Sequence, residues 1–218
     1  QNTNVPVPRM VHFCEDEGVI GTVFYVMEYL KGRILRDPLL PGMAAVERLA
    51  IYDSMNETLA ALHNVDWQSV GLEGYGKTAD YIGRQISLWS RQYLAAKTKD
   101  IPAMDRLMAW LPENIPADDS TSIVHGDFRI ENLMFHPTEP RVIAVLDWEL
   151  STLGHPLSDL AFNCMTYHLP KDDDLARGFI RVDISELGIP SEPEYVAAYS
   201  KRTGRDGIKD WHFYMAFS

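Results

Sequence analysis

The densest group of side chains that could do chemistry lies between residues 124 and 149. Asn132 follows Asp127 by five residues, and a second aspartate, Asp147, stands at the end of the next apolar run. Mg²⁺ binds a few hard oxygen ligands and completes its shell with water and substrate phosphates. Asn132 and Asp147 can supply such ligands, which leaves Asp127 free to accept a proton from an attacking hydroxyl group.

Two basic side chains flank Asp127 in this segment. Arg129 can neutralise charge on a transferring phosphoryl group. Together with Asp127 as a weak base, it gives the segment two of the functions that phosphoryl transfer needs. Taken alone, His125 is interpreted as a hydrogen-bonded structural histidine rather than an acid or a metal ligand. The alternative for the whole segment is a solvated loop between strands with incidental acids.

The pattern His125-x-Asp127, with Asn132 and the later Asp147, resembles the catalytic and metal-binding motifs of the aminoglycoside-phosphotransferase and choline-kinase family, which has a protein-kinase-like fold. The wider sequence is most similar to the phosphotransferase branch that is fused to, or accompanies, acyl-CoA dehydrogenases. The segments that carry this closer similarity are 71–76, 84–86, 89–93 and 146–167.

The resemblance implies a role for each residue of the motif. Asp127 would be the catalytic base, and Asn132 and Asp147 would hold Mg²⁺. His125 would brace the structure, and Asp159 would be a buried aspartate that ties down the catalytic loop. The implied reaction moves the γ-phosphoryl group of ATP (or GTP) to a hydroxyl of a small molecule.

The resemblance also implies a hinge, in which the backbone of Glu28, Tyr29 and Leu30 would hydrogen-bond adenine. Such kinases place a phosphate-covering loop and a phosphate-anchoring lysine before the hinge, yet no lysine precedes Met10. We therefore expect residues 1–30 to be a remnant of the N-terminal lobe with the hinge, and residues 31–218 to be the helical C-terminal lobe.

Two alternatives to the phosphotransferase function stay open. One is a non-catalytic kinase-like binding module, and the other is metal-dependent hydrolysis by the same carboxylates.

The elements that must position these residues follow from hydrophobic spacing. β-Branched and aromatic residues predict an antiparallel hairpin from 10–14 and 19–30. Short apolar runs predict strands at 122–125, 132–136 and 141–147. Helical spacing predicts helices over 43–63, 78–93, 104–111, 157–164, 172–187 and 192–202. Helices dominate and the strands are too scattered for a doubly wound sheet, so the expected class is α+β.

Several local interpretations accompany these helices. Thr78 is expected to cap a helix whose core stripe includes Trp89 and Tyr93. The acidic run 172–174 is interpreted as a helix N-terminus rather than a metal cluster. His63 is interpreted as a helix-end residue that interacts with the dipole, and His155 as a turn residue.

Composition limits the classes of function. The 218 residues are 46% hydrophobic and 23% charged, which is typical of a soluble globular protein. A net charge of −11 disfavours nucleic acid as a partner, and no apolar run is long enough for a membrane helix. Two cysteines in apolar surroundings, without a signal-like N-terminus, favour the cytoplasm. The net charge suits a cationic aminoglycoside acceptor, whereas the resemblance suggests a hydroxyacyl compound; the oligomeric state is not predicted.

Overall fold

The computed structural model describes residues 3–171 and 177–218. In these ranges the strands are β1 (Met10–Cys14), β2 (Phe24–Met27), β3 (Arg33–Ile34), β4 (Ser122–Val124), β5 (Leu133–Phe135), β6 (Val142–Val145) and β7 (Thr152–Gly154). The α-helices are α1 (Ala45–His63), α2 (Tyr81–Ala96), α3 (Pro102–Glu113), α4 (Pro156–Cys164), α5 (Ile184–Leu187), α6 (Glu192–Arg202) and α7 (Trp211–Phe217). Short 3₁₀ turns cover Ile130–Asn132 and Met165–His168.

The strands form three small antiparallel sheets rather than one large sheet. β1 pairs with β2, β4 pairs with β7, and β5 lies between β3 and β6. In the three-stranded sheet Leu133 pairs with Val145, and the amide of Leu146 donates to the carbonyl oxygen of Asn132 at 2.9 Å. The start of β5 and the end of β6 are therefore neighbours, which brings Asn132 close to the residue after Leu146.

The core lies between the sheets and the helices α1, α4, α6 and α7. The apolar stripe of α1 faces inward as its spacing predicts, because its members are at most 3% exposed: Ile51, Met55, Leu59 and Leu62. The predicted face of α4 is also buried: Leu157, Leu160, Ala161 and Cys164. Aromatic side chains from α6 and α7 complete this core: Tyr195, Tyr199, Phe213 and Tyr214. Burial of these apolar faces is the main force that holds the elements together.

The second helix differs from the prediction at its start and on its outer face. It begins at Tyr81, and its N-cap residue is Asp80, in a left-handed conformation with no side-chain cap, so Thr78 does not cap it. Ile82 is buried and Tyr93 is half-buried, but Trp89 is 55% exposed, so Trp89 is not core as predicted. Helical spacing identifies a face, but the neighbouring elements decide how far along the helix that face is covered.

The predicted helix over 172–187 is wrong for most of its described part. Only Ile184–Leu187 is helical there, after Asp183 accepts a hydrogen bond from the amide of Ser185 at 3.2 Å. The amide of Phe179 donates to Thr166 instead of to a helical partner. The acidic run 172–174 lies outside the described residues. Among the described helices, none has the length and apolar character that a bilayer crossing requires.

Candidate active site

The loop of residues 125–132 connects β4 to β5 and presents Asp127. It turns sharply at Gly126, whose φ is +85°. A Cβ atom there would lie 2.8 Å from the carbonyl oxygen of Leu150, so the left-handed conformation and the close approach both require glycine. This turn places the side chain of Asp127, which is 21% exposed, between a buried backbone and solvent.

The carboxylate of Asp127 is held by donors on both oxygens. Asn132 donates through Nδ2 to Oδ2 of Asp127 at 2.8 Å and to its carbonyl oxygen at 2.9 Å. Nε of Arg129 lies 3.2 Å from Oδ1 of Asp127, and Nη1 of the same guanidinium group lies 3.2 Å from Oε2 of Glu131. Because Nδ2 of Asn132 serves Asp127, Oδ1 is the atom with which Asn132 can bind a cation. The structure thus brings together the predicted base, the predicted amide ligand and the predicted arginine.

Asp147 stands two residues after the end of β6, where its φ of 64° turns the chain away from the sheet. It is exposed, and the bond between Leu146 and Asn132 places it beside the start of β5. No group of three or more His, Cys, Asp or Glu side chains able to hold a metal occurs within 3–171 and 177–218. One amide oxygen and one carboxylate on neighbouring strand ends do fit Mg²⁺, which takes its other ligands from water and phosphates.

His125 links the loop to the strand end that carries Asp147. Its Nε2 lies 2.8 Å from the carbonyl oxygen of Leu146, and its Nδ1 accepts from the amide of Asp127 at 3.2 Å. Because the carbonyl can only accept and the amide can only donate, the proton of the neutral ring lies on Nε2. The ring is fully buried and packs against Trp148 with centroids 5.0 Å apart.

Asp159, in the first turn of α4, fixes the other side of the loop. Its Oδ1 accepts from the amide of Gly126 at 2.8 Å, and its Oδ2 accepts from the amide of His125 at 2.5 Å. Nε2 of His63 lies 3.3 Å from the same Oδ2. A carboxylate that is 1% exposed is tolerated because donors surround it.

His63 does lie in the last turn of α1, but its side chain does not serve the helix end as predicted. It bridges Asp159 and the hydroxyl of Tyr199, which is 2.6 Å from Nδ1. Sequence reasoning also missed Asn163, Tyr195 and Tyr199, which support this region. The available signal was Asn163, a second polar residue four positions after Asp159 in a largely apolar helix.

His155 directly precedes α4, where the sequence predicts a turn residue, and the structure shows that it also caps the helix: its Nδ1 accepts from the amide of Leu157 at 3.3 Å. The ring stacks on Tyr214 with centroids 4.9 Å apart. Burial lowers the pKa of His155 to about 4, although the carboxylate of Asp118 at 3.5 Å opposes the shift. The imidazole is therefore neutral at pH 7, and its role is structural.

The predicted hinge follows β2. The amide of Glu28 donates to the carbonyl oxygen of Arg9 at 2.9 Å, and its Oε1 accepts from the Arg9 amide at 2.7 Å. Glu28 therefore continues the hairpin pairing, and its amide already has a partner. Tyr29 is 87% exposed and Leu30 is half-buried, so Tyr29 is the most accessible of the three predicted hinge residues.

A cavity of about 340 Å³ opens beside the 125–132 loop, between α1 and the end of α4. Its charged lining combines three guanidinium groups and two carboxylates: Arg36, Arg129, Arg177, Asp37 and Glu131. Arg177 is paired with Asp37 at 2.9 Å. Cavities of this size are typical of small-molecule sites, and Arg129 both lines this one and pairs with Asp127.

Comparison with known proteins agrees with this geometry. Residues 1–200 match the phosphotransferase enzyme family. The chain is 50% identical over 217 residues to acyl-CoA dehydrogenase family member 10 of Mus musculus, a match that covers 100% of this chain and 20% of that protein. The chain thus spans about a fifth of the length of this relative.

Solved structures show the same fold. A crystal structure from Ralstonia eutropha JMP134, of a protein classed with the aminoglycoside phosphotransferases, has a TM-score of 0.93 and 55% identity, over 99% of this chain and 65% of that one. Aminoglycoside phosphotransferase APH(3'')-Id of Streptomyces rimosus, solved with ADP and streptomycin, has a TM-score of 0.60 at 16% identity, over 98% of this chain and 75% of that one. The predicted α+β, protein-kinase-like fold is confirmed. The chain belongs to the phosphotransferase enzyme family.

Proposed function

We propose that this chain carries the catalytic lobe of a kinase that moves the γ-phosphoryl group of ATP (or GTP) to a hydroxyl of a small molecule. The observation that carries the proposal is the carboxylate of Asp127, held by Asn132 at 2.8 Å next to the strand end that bears Asp147. Membership of a phosphotransferase family supports kinase-like transfer to small molecules.

Asp127 would accept the proton of the attacking hydroxyl. The acceptor oxygen then bonds to the γ-phosphorus as the bond from that phosphorus to the bridging β,γ-oxygen breaks, and ADP (or GDP) leaves. The donors on Asp127, Nε of Arg129 at 3.2 Å and Nδ2 of Asn132 at 2.8 Å, hold the carboxylate in one orientation. A weak, well-oriented base is sufficient, because phosphoryl transfer depends mainly on positioning and charge stabilisation.

Asn132, through Oδ1, and Asp147 would hold Mg²⁺. When bound, Mg²⁺ would neutralise charge on the nucleotide phosphates. Arg129 would exchange its present carboxylate partners, Asp127 and Glu131, for oxygens of the transferring group. His125 keeps the base and the metal-holding strand end at a fixed separation, since its two ring nitrogens bond one to each side.

The nucleotide base would lie against residues 1–30, which we propose to be the hinge side of an N-terminal lobe. Glu28 would contribute through the hairpin it closes, and Tyr29 and Leu30 through their backbone. The ADP bound in the Streptomyces rimosus structure supports nucleotide use in this fold. Phosphate anchoring would come from a preceding segment of a longer polypeptide, in line with the greater length of the relatives.

The acceptor would occupy the cavity beside the loop. Among the lining residues that the structure describes, three guanidinium groups stand against two carboxylates, which does not favour a polycation and opposes the aminoglycoside expectation drawn from the net charge. A neutral or anionic hydroxy compound, such as a hydroxyacyl compound, suits this lining better. Both cysteines are free thiols, which fits the proposed cytoplasmic location.

The direct test is phosphoryl transfer from γ-labelled ATP to a panel of hydroxy compounds by the full-length polypeptide. Asp127→Asn should lower turnover by about 10²- to 10⁴-fold, the usual contribution of a general base. The matched control is Asp183→Asn, because Asp183 is a helix cap outside this site. Wild-type turnover in Asp127→Asn would reject the assignment, and binding without any transfer would favour the non-catalytic module.

A further inference from the structure

Helix α6 carries two buried tyrosines on one face, Tyr195 and Tyr199, which are 3% and 0% exposed. Residues four positions apart on a helix are neighbours on the same side. Each hydroxyl begins a chain of hydrogen bonds, and both chains end on the backbone of the 125–132 loop. Neither chain takes part in the proposed proton transfer or in metal binding.

The first chain runs from Tyr199 through His63 to Asp159. Asp159 can only accept as a carboxylate, so Nε2 of His63 carries the proton that points to it across 3.3 Å. In the tautomer that keeps Nδ1 unprotonated, that nitrogen accepts, and its donor is the hydroxyl of Tyr199 at 2.6 Å. Asp159 in turn holds the loop backbone, because it accepts hydrogen bonds from the amides of His125 and Gly126.

The second chain runs from Tyr195 through Asn163. Nδ2 of Asn163 donates to the carbonyl oxygen of Phe128 at 3.2 Å, which fixes the orientation of the side-chain amide. Oδ1 therefore faces Tyr195, whose hydroxyl donates to it at 2.7 Å. Asn163 is 7% exposed, so most of its side chain is shielded from bulk water and its polar atoms need partners within the protein.

The two chains hold the loop on both sides of Asp127, at residues 125–126 and at Phe128. We infer that Tyr195 and Tyr199 are positioning residues that fix the orientation of Asp127 through the loop backbone. The inference rests on the proposed function, in which Asp127 is the base. Removing either hydroxyl would leave Nδ1 of His63 or Oδ1 of Asn163 buried without its donor, which loosens the chain it belongs to.

Tyr→Phe variants of the chain itself test the physical part of the inference by NMR-detected amide exchange. Tyr199→Phe should raise the exchange rates of the His125 and Gly126 amides about tenfold, the effect of losing one buried hydrogen bond. Tyr195→Phe should likewise release the side-chain amide protons of Asn163. The matched control is Tyr167→Phe, which loses a hydroxyl bond to Pro190 at 2.9 Å that does not touch the loop.

A pair of substitutions at His63 separates hydrogen bonding from packing. His63→Gln keeps a donor and an acceptor and should retain the slow exchange of the two amides, whereas His63→Leu should lose it. Equal exchange rates in Tyr199→Phe and Tyr167→Phe, or in His63→Gln and His63→Leu, would overturn the inference.

Kinetics of the full-length polypeptide test the catalytic part. Tyr195→Phe and Tyr199→Phe should lower kcat about ten- to hundredfold through misorientation of the base, with the KM for nucleotide unchanged. Unchanged kcat, or an equal loss in Tyr167→Phe, would overturn the positioning role. Failure of the proposed function would look different, because the wild-type polypeptide would then transfer no phosphoryl group, while the exchange rates still decide whether α6 holds the loop.

Discussion

The 125–132 loop and the β1–β2 hairpin are both expected to touch the nucleotide, yet they are held in opposite ways. In the loop, His125 and Phe128 are fully buried, and the amides of His125 and Gly126 donate to Asp159 on α4. In the hairpin, Phe13 and Tyr25 are 58% and 57% exposed, and the described contacts of the backbone are mostly between its own two strands.

This difference separates the site into two parts. The geometry around Asp127 is fixed by hydrogen bonds and packing within this chain. The hairpin carries a large apolar surface that the described residues leave uncovered: Met10, Val11, Phe13, Val19, Ile20, Val23, Tyr25, Val26 and Met27. The geometry around Asp127 therefore belongs to the chain itself, whereas the proposed adenine side depends on further contacts.

The largest effect is expected at Asp159, which holds the loop. Asp159 accepts three hydrogen bonds, and Asp159→Asn would place an N–H donor against the present donors, which are His63 and the amides of His125 and Gly126. We expect the free energy of unfolding to fall by about 3 kcal/mol, the scale of breaking a buried charged network. Urea denaturation measures this loss, and Asp183→Asn is the control; a loss below about 1 kcal/mol would contradict the view of the loop as braced.

A loss of stability of similar size is expected when acid protonates His155, which caps the helix that carries Asp159. Burial lowers the pKa of His155 to about 4 from its ordinary 6.5, so between these values the unfolded chain binds a proton that the folded chain does not. Stability is then fully present above pH 6.5 and falls as the pH drops toward 4, by about 3 kcal/mol.

Denaturation at pH 4 and pH 7 checks this linkage. The difference in stability between the two pH values should be smaller in His155→Asn than in the wild type. His12→Asn, in the exposed hairpin, should leave the difference unchanged. An identical pH dependence in the wild type and His155→Asn would reject the assignment.

Two glycines compare the regions directly, because Gly126 and Gly21 have nearly the same φ, +85° and +89°. A Cβ at Gly126 would meet Leu150 at 2.8 Å, whereas a Cβ at Gly21 would meet nothing within 4 Å. Gly21→Ala should lower stability by about 1 kcal/mol through backbone strain alone, and Gly126→Ala by about 2 kcal/mol more. Equal losses in urea denaturation would show that the loop is not tightly packed.

The smallest effect on stability is expected on the hairpin surface. Tyr25→Thr keeps a β-forming residue and removes exposed apolar area, so stability should change by no more than about 0.5 kcal/mol. Self-association should decrease, since exposed apolar patches promote it. Sedimentation velocity and denaturation measure the two quantities, and a loss above about 1.5 kcal/mol would mean that Tyr25 is part of a core.

The sequence predicts the fold where hydrophobic periodicity is long and regular. Helix α1 over Ala45–His63 and helix α6 over Glu192–Arg202 lie where they are predicted, and so do the strands around Asp127. Prediction fails where tertiary contacts replace local ones, as at Phe179, whose amide bonds to Thr166 instead of continuing a helix.

The residues of the candidate site likewise fall into a group that the sequence predicts and a group that it does not. The spacing of Asp127, Asn132 and Asp147 is local, so the sequence shows that they can meet. The support of the loop comes from residues distant in the chain, since His63 lies 96 positions from Asp159 and 136 from Tyr199. Helical periodicity assigns such residues to a buried face but does not tell which polar partner they will find there.

Calorimetric titration of ATP into the full-length polypeptide, with and without Mg²⁺, tests the central claim most directly. We expect Mg²⁺-dependent binding in the wild type and in Asp127→Asn, because the base is not needed to hold the nucleotide. The same binding should be lost in Asp147→Asn, which weakens the proposed metal ligand. Undiminished Mg²⁺-dependent binding in Asp147→Asn would contradict the assignment of these strand ends as the site of phosphoryl transfer.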